Sequence, residues 1–308
     1  MFRAFSLAAA LAAFLLAVLG SWVRINGAGM TCPDWPLCHH ALVPALHGGV
    51  VLEWSHRLVA FVDGFLVIGA LWAGWQERNR IAGVKPVLGF IGAVFLVQVC
   101  LGGLTVALSN SPWSVVVHWG TGMLFLAGLT ALALLATVEP KEIAIRHSLL
   151  GAIITASVVL AFATMCAGAF VSSSNDGLAC TTLPTCDGGS WTGSSPGQVA
   201  MMVHRLIAFA FLLVATLGAY SASLGTTVRV RTAVLLGYAL VVLQAMLGLA
   251  NVAWRLPTML REAHAANAGL TFLAFVVALV FAAIDGTVPS EARSGATSTT
   301  TPVREGAR

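Results

Sequence analysis

Eight apolar blocks divide the chain, at about residues 4–23, 51–75, 87–107, 115–137, 148–171, 200–222, 232–252 and 265–284. Each is close to the ~20 residues a helix needs to cross the hydrocarbon core of a bilayer. The breaks between them carry charge or turn chemistry, as in Gln76-Glu77-Arg78-Asn79-Arg80 and Ser109-Asn110-Ser111-Pro112. Few folds are open to such a chain. In lipid every backbone polar group must be satisfied within the protein, so only helices and closed barrels span. Barrel strands alternate polar and apolar residues over short segments, and these blocks do not. Asp, Glu, Lys and Arg make up only 9% of the residues, while AVILMFWYC make up 58%. Soluble proteins carry roughly 25% charged residues, so a water-facing surface cannot be built here. Disorder is excluded by the same balance. The expected fold is an all-α membrane protein with eight transmembrane helices.

The net charge of +4 comes from thinly scattered cations without a basic run, which gives no handle for nucleic acid. The cations read instead as topology signals. Eight spans put both termini on one side, and 11 of the 16 Lys and Arg fall there. The positive-inside rule makes that side the cytoplasm. Residues 287–308, rich in Ser, Thr, Glu and Arg, read as a disordered cytoplasmic tail.

An internal repeat organises the rest. Gly29, Cys32, Pro36 and Cys38 recur 148 positions later as Gly177, Cys180, Pro184 and Cys186. His56-Arg57-Leu58 recurs at the same interval as His204-Arg205-Leu206. Gln98, Gly102 and His118 recur 146 positions later as Gln244, Gly248 and His264. The expectation is two tandem four-helix bundles, 1–146 and 147–286. Each holds an even number of spans, so the pseudo-two-fold axis relating them runs along the membrane normal. The repeat also makes the first block the partner of an internal span rather than a cleaved leader.

Four histidines, His56, His118, His204 and His264, sit at repeated positions early in apolar spans that run from outside to inside. Polar residues in lipid are costly and usually functional. Two imidazoles from facing helices form the usual axial pair for a haem iron. A zinc site would need further ligands, and none recurs in both halves apart from the cysteines. Arg57 and Arg205 follow a ligand in each half and are candidates to pair with haem propionates. His39, His40, His47 and His147 have no repeat partner and read as solvated or interfacial.

Cys32 and Cys38, and Cys180 and Cys186, lie in the first and third external loops. An oxidising exterior makes a disulfide in each loop the default, with a redox-active pair as the alternative. Cys100 and Cys166 read as small packing residues within spans.

The halves differ in their carboxylates. Glu53 precedes His56 by three residues and shares its helix face, whereas its counterpart is Met201. A carboxylate beside an iron ligand is a candidate general base. Asp63, seven residues beyond His56, has Phe211 as its counterpart and is a second candidate, for proton relay.

Taken as a set, the eight spans, the four-helix duplication, Glu53-Trp54-Ser55-His56-Arg57 opening the second span, three further span histidines and paired external cysteines resemble the heme A synthase family. The resemblance covers about residues 1–285. It implies an oxidoreductase of the bacterial cytoplasmic membrane that converts a methyl group of heme O to the formyl group of heme A by two successive hydroxylations, for cytochrome oxidase. It further implies that His204 and His264 hold a haem b cofactor, that His56 and His118 hold the substrate haem, and that Glu53 is catalytic. Heme O synthase and an electron acceptor become candidate partners, and a homo-oligomer is open. The same four histidines also suit a diheme membrane cytochrome that oxidises quinol, or a haem carrier without catalysis.

Overall fold

The computed structural model describes residues 1–144 and 148–285. The tail expected at 287–308, the expected boundary at 146/147 and His147 lie outside the described residues. The described chain is all-helical: α1 (Phe2–Ile25), α2 (Gly48–Glu77), α3 (Val84–Ala107), α4 (Pro112–Val138), α5 (Leu149–Ser173), α6 (Pro196–Leu224), α7 (Val228–Ala253) and α8 (Thr258–Asp285), with one 3-10 turn at Asp187–Gly189. All eight α-helices are long and apolar enough to cross a membrane. At 1.5 Å per residue they run about 36 to 45 Å. That exceeds the ~30 Å hydrocarbon core, so their ends stand in the headgroup region.

All the helices except α5 begin before their apolar blocks do, and local chemistry sets where. Ser195 caps α6 by accepting from the Gln198 amide, and Pro196 occupies its first position. Proline suits that place because its missing N–H has no intrahelical partner there. Pro112 starts α4 in the same way. Ser148 and Thr227 cap α5 and α7 with their hydroxyls. The turns before α4 and α8 each contain two consecutive left-handed residues, Ser109-Asn110 and Arg255-Leu256. These are sharp reversals that deliver the next helix antiparallel to the last.

In the first half α1 packs on α2 and α4, and α3 packs on α2 and α4; in the second, α5 packs on α6 and α8, and α7 on α6 and α8. The halves meet through α1, α4, α5 and α8. Half of the most apolar stretch of α4 and of α8 is buried, against 11–28% in the other helices, which makes these two the centre of the molecule. Their shared core includes Met123, Leu126 and Leu129 from α4 and Phe272 and Phe275 from α8. Small residues such as Ala9 and Ala13 of α1, and Ala161 of α5, let the helices approach closely. At the C-terminal end of α1, Arg24 donates to Ser172 of α5 at 2.5 Å. At the opposite end Arg229 and Thr227 both donate to Asp285, which ties α7 to α8.

Candidate functional site

His56 and His204 each stand eight residues into their helices, and His118 and His264 each stand six. At 1.5 Å per residue these are depths of about 12 and 9 Å from the helix starts. The imidazoles of His56 and His118 lie within electrostatic range of each other, as do those of His204 and His264. In each half the two histidines stand on helices that do not pack on each other, α2 and α4, and α6 and α8. All four side chains are half-buried rather than sealed.

Each imidazole lies against a glycine of the preceding helix. A Cβ on Gly20 would stand 2.8 Å from Cε1 of His56, and one on Gly168 would stand 3.0 Å from Cε1 of His204. The corresponding distances are 3.6 Å from Gly102 to His118 and 3.3 Å from Gly248 to His264. Gly102 and Gly248 were visible in the repeat. Gly20 and Gly168 were missed, although they too recur at 148 positions. Nδ1 of His204 pairs with the carbonyl of Thr164 at 3.1 Å, which leaves Nε2 as its available ligand atom. Nδ1 of His118 is buried without a hydrogen-bond partner. In the second half Gln244 donates to the carbonyl of His264 and accepts from Asn267, fixing the backbone at the ligand position.

A pair of imidazoles approaching from two helices, each backed by a glycine, suits axial ligation of a haem iron. Among the described residues no group of three or more His, Cys, Asp or Glu could hold a metal ion by itself.

Disulfides join Cys32 to Cys38 and Cys180 to Cys186. All four of these cysteines are fully or almost fully buried. Both loops also carry a cis proline bond, Trp35-Pro36 and Leu183-Pro184. Arg57 and Arg205 reach the loops. Arg57 donates to the carbonyls of Cys32, Asp34 and Leu37. Arg205 donates to those of Cys180, Thr182 and Thr185. Arg205 also reaches the Pro184 carbonyl, at 3.5 Å; its other three acceptors are the counterparts, at 148 positions, of the three of Arg57.

Glu53 is 5% exposed. One oxygen accepts from the Cys32 amide at 2.8 Å and from the Thr31 hydroxyl at 3.0 Å. The other accepts from Arg57 at 2.7 Å. The carboxylate is thus held between α2 and the disulfide loop. Its counterpart Met201 is equally buried and makes only apolar contact with its loop cysteines. Asp63 is buried on α2 about two turns beyond His56, with Oδ1 unpaired. His39 and His40 lie on the loop surface, where their amides donate to Asp34. Cys166 packs on Gly120, as expected of a small buried residue. Cys100 instead faces outward, because its side of α3 has no neighbouring helix.

The sequence is similar to those of several known proteins. The chain is 29% identical over 259 residues to the heme A synthase of Bacillus licheniformis, covering 80% of this chain and 84% of that one. It is 28% identical over 306 residues to that of Shewanella oneidensis, covering 85% and 91%. It is 30% identical over 220 residues to that of Geobacillus kaustophilus, covering 68% of each chain. The profile of the cytochrome oxidase assembly protein family matches residues 46–276, from just before α2 to well into α8. The span includes all four histidines and Glu53, and on this match the chain belongs to the COX15-CtaA family of cytochrome oxidase assembly proteins.

Proposed function

We propose that the protein is a heme A synthase, an oxidoreductase that converts a methyl group of heme O to the formyl group of heme A. The observation that carries this reading is the pair of matched histidine sites, each set on glycine at the same depth in its half. Relatives that bear the name heme A synthase support it. The two halves act as tandem four-helix bundles. Arg24 and Ser172, which hydrogen-bond to each other, occupy equivalent positions of the repeat. A contact between equivalent positions belongs on a two-fold axis between the halves. Both termini are assigned to the cytoplasm by the distribution of cations.

His204 and His264 would hold the resident haem b, which when bound supplies one-electron redox chemistry. His56 and His118 would hold the substrate heme O. With both axial positions of the substrate taken, dioxygen has no open place on it, so water is the better oxygen source. Each hydroxylation then removes two electrons and two protons as water adds to the methyl carbon. After the second, the hydrated aldehyde loses water to give the formyl group. Glu53 is the carboxylate the second half lacks, and we assign it as the proton acceptor. An acceptor outside the chain takes the four electrons.

The test is expression in a host that makes heme O but no heme A, followed by haem extraction and mass detection. Heme A, or its hydroxylated precursor, is expected only with the protein present, with formyl oxygen labelled from solvent water. Recovery of haem b and unchanged heme O from a folded protein would overturn the reading in favour of a diheme cytochrome or haem carrier.

A further inference from the structure

The two external loops are fastened in one way, and the fastening sits beside the ligands. Arg57 and Arg205 each directly follow a candidate axial histidine on the same helix. Each gathers three carbonyls at matched positions of a seven-residue disulfide-closed segment. A planar guanidinium serves several acceptors in fixed directions, which an ammonium cannot do. Loop 1 is also held at its far side. A Cβ on Gly103 would stand 3.2 Å from the indole of Trp35, and Gly103 adjoins Gly102, which backs His118. Asn110, in the turn before α4, donates to the carbonyl of Gly29 at 2.6 Å. The loop therefore runs from the flank of His56 to the flank of His118 and closes the outer end of that pair. In the second half Leu256 takes the place of Asn110 and packs on Gly177.

We propose that Arg57 and Arg205 are positioning residues: each guanidinium clamps its disulfide loop as a lid over the histidine pair of its own half, rather than pairing with haem propionates. The lid role rests on the haem reading above; the clamp itself does not. Loop 1 has further polar contacts, from Glu53 to Thr31 and Cys32 and from Asn110 to Gly29, and Trp35 packs on Gly103. In loop 3 the places of Glu53 and Asn110 are taken by Met201 and Leu256.

The experiment compares wild-type full-length protein with Arg205→Ala, Arg205→Lys, Arg57→Ala and Arg57→Lys, each in lipid nanodiscs. Amide hydrogen exchange is read at Thr181, Cys186 and Gly189 for loop 3, and at Cys32, Cys38 and Ala41 for loop 1. The rate of haem loss to a haem-scavenging apoprotein is read alongside. The clamp predicts exchange in the affected loop at least about tenfold faster in both the Ala and the Lys variants, since each lost charged hydrogen bond is worth about that factor or more. It predicts faster haem loss in the Arg205 variants and no change in the opposite loop. Unchanged loop exchange in the Ala variants overturns the proposal. So does full recovery of haem retention by Lys, because a point charge suffices for a propionate but not for three carbonyls. If an Ala variant fails to accumulate, its Lys partner decides by the same two readings. Exchange needs no substrate and the extracted haem is identified separately, so failure of the clamp and failure of the synthase reading are distinguishable.

Discussion

Replacing Gly20 by alanine adds a single methyl group against His56, the proposed ligand of the first half. Its Cβ would lie 2.8 Å from Cε1 of His56. Relaxed carbon–carbon contacts are about 3.5–4.0 Å, so the imidazole has to retreat by about 0.7 Å or more. Metal–ligand distances tolerate only about 0.2 Å. The ring therefore leaves its ligating position, or the helices part at the ~1–3 kcal/mol typical of overpacking. Either way, haem affinity at that site falls by about 5- to 150-fold. The fold should not suffer in proportion, because alanine gains about 1 kcal/mol over glycine in a helix interior. Gly102→Ala is the matched control, since its Cβ would meet His118 at an ordinary 3.6 Å. The assay is a haem titration of purified protein in nanodiscs, followed by Soret absorbance and low-temperature EPR. The untouched second-half pair serves as an internal reference. Wild-type affinity and spectra in Gly20→Ala would refute the reasoning. Equal damage from Gly102→Ala would refute it as well, since the effect would then owe nothing to distance from the ring.

Glu53→Gln is expected to retain both histidine-ligated haem spectra while product formation falls by at least about 10²-fold, the usual worth of a general base. Full turnover in that variant would leave Glu53 with loop fastening alone. Asp187 accepts from the Thr181 hydroxyl and from the amides of Thr181 and Thr182, and these bonds hold its carboxyl below the usual range. A depressed carboxylate contributes stability that is present above its unfolded value near 3.9 and lost as pH falls through the folded one. Loop 3 should therefore keep its amide protection from about pH 8 to 5 and lose it only below about 4; loosening between pH 8 and 5 would show that Asp187 does not govern the loop.

Much of the protein was legible without its fold. Eight blocks of spanning length dictate eight helices, because lipid offers no partner for an open backbone. The duplication put four histidines at matching depths and two cysteine pairs in matching loops, since repeat register carries over to depth in any chain that crosses a membrane by near-equal helices. What the register could not supply was direction. Arg57 and Arg205 were singled out as propionate partners because they follow a ligand, yet each turns to the carbonyls of its loop. Glu53 was recognised by its spacing from His56, but spacing does not reveal that its oxygens meet Thr31, Cys32 and Arg57. Cys100 was read as packed, although its face of α3 has no neighbour. Gly20 and Gly168 carry no chemistry of their own and became meaningful only once the imidazoles were found against them. Hydrophobic length and repeat register are properties of the chain, and they determined the spans, the duplication and the depth of each histidine. Which donor meets which acceptor depends on how helices far apart in sequence rotate and pack, and that was decided only by the tertiary structure.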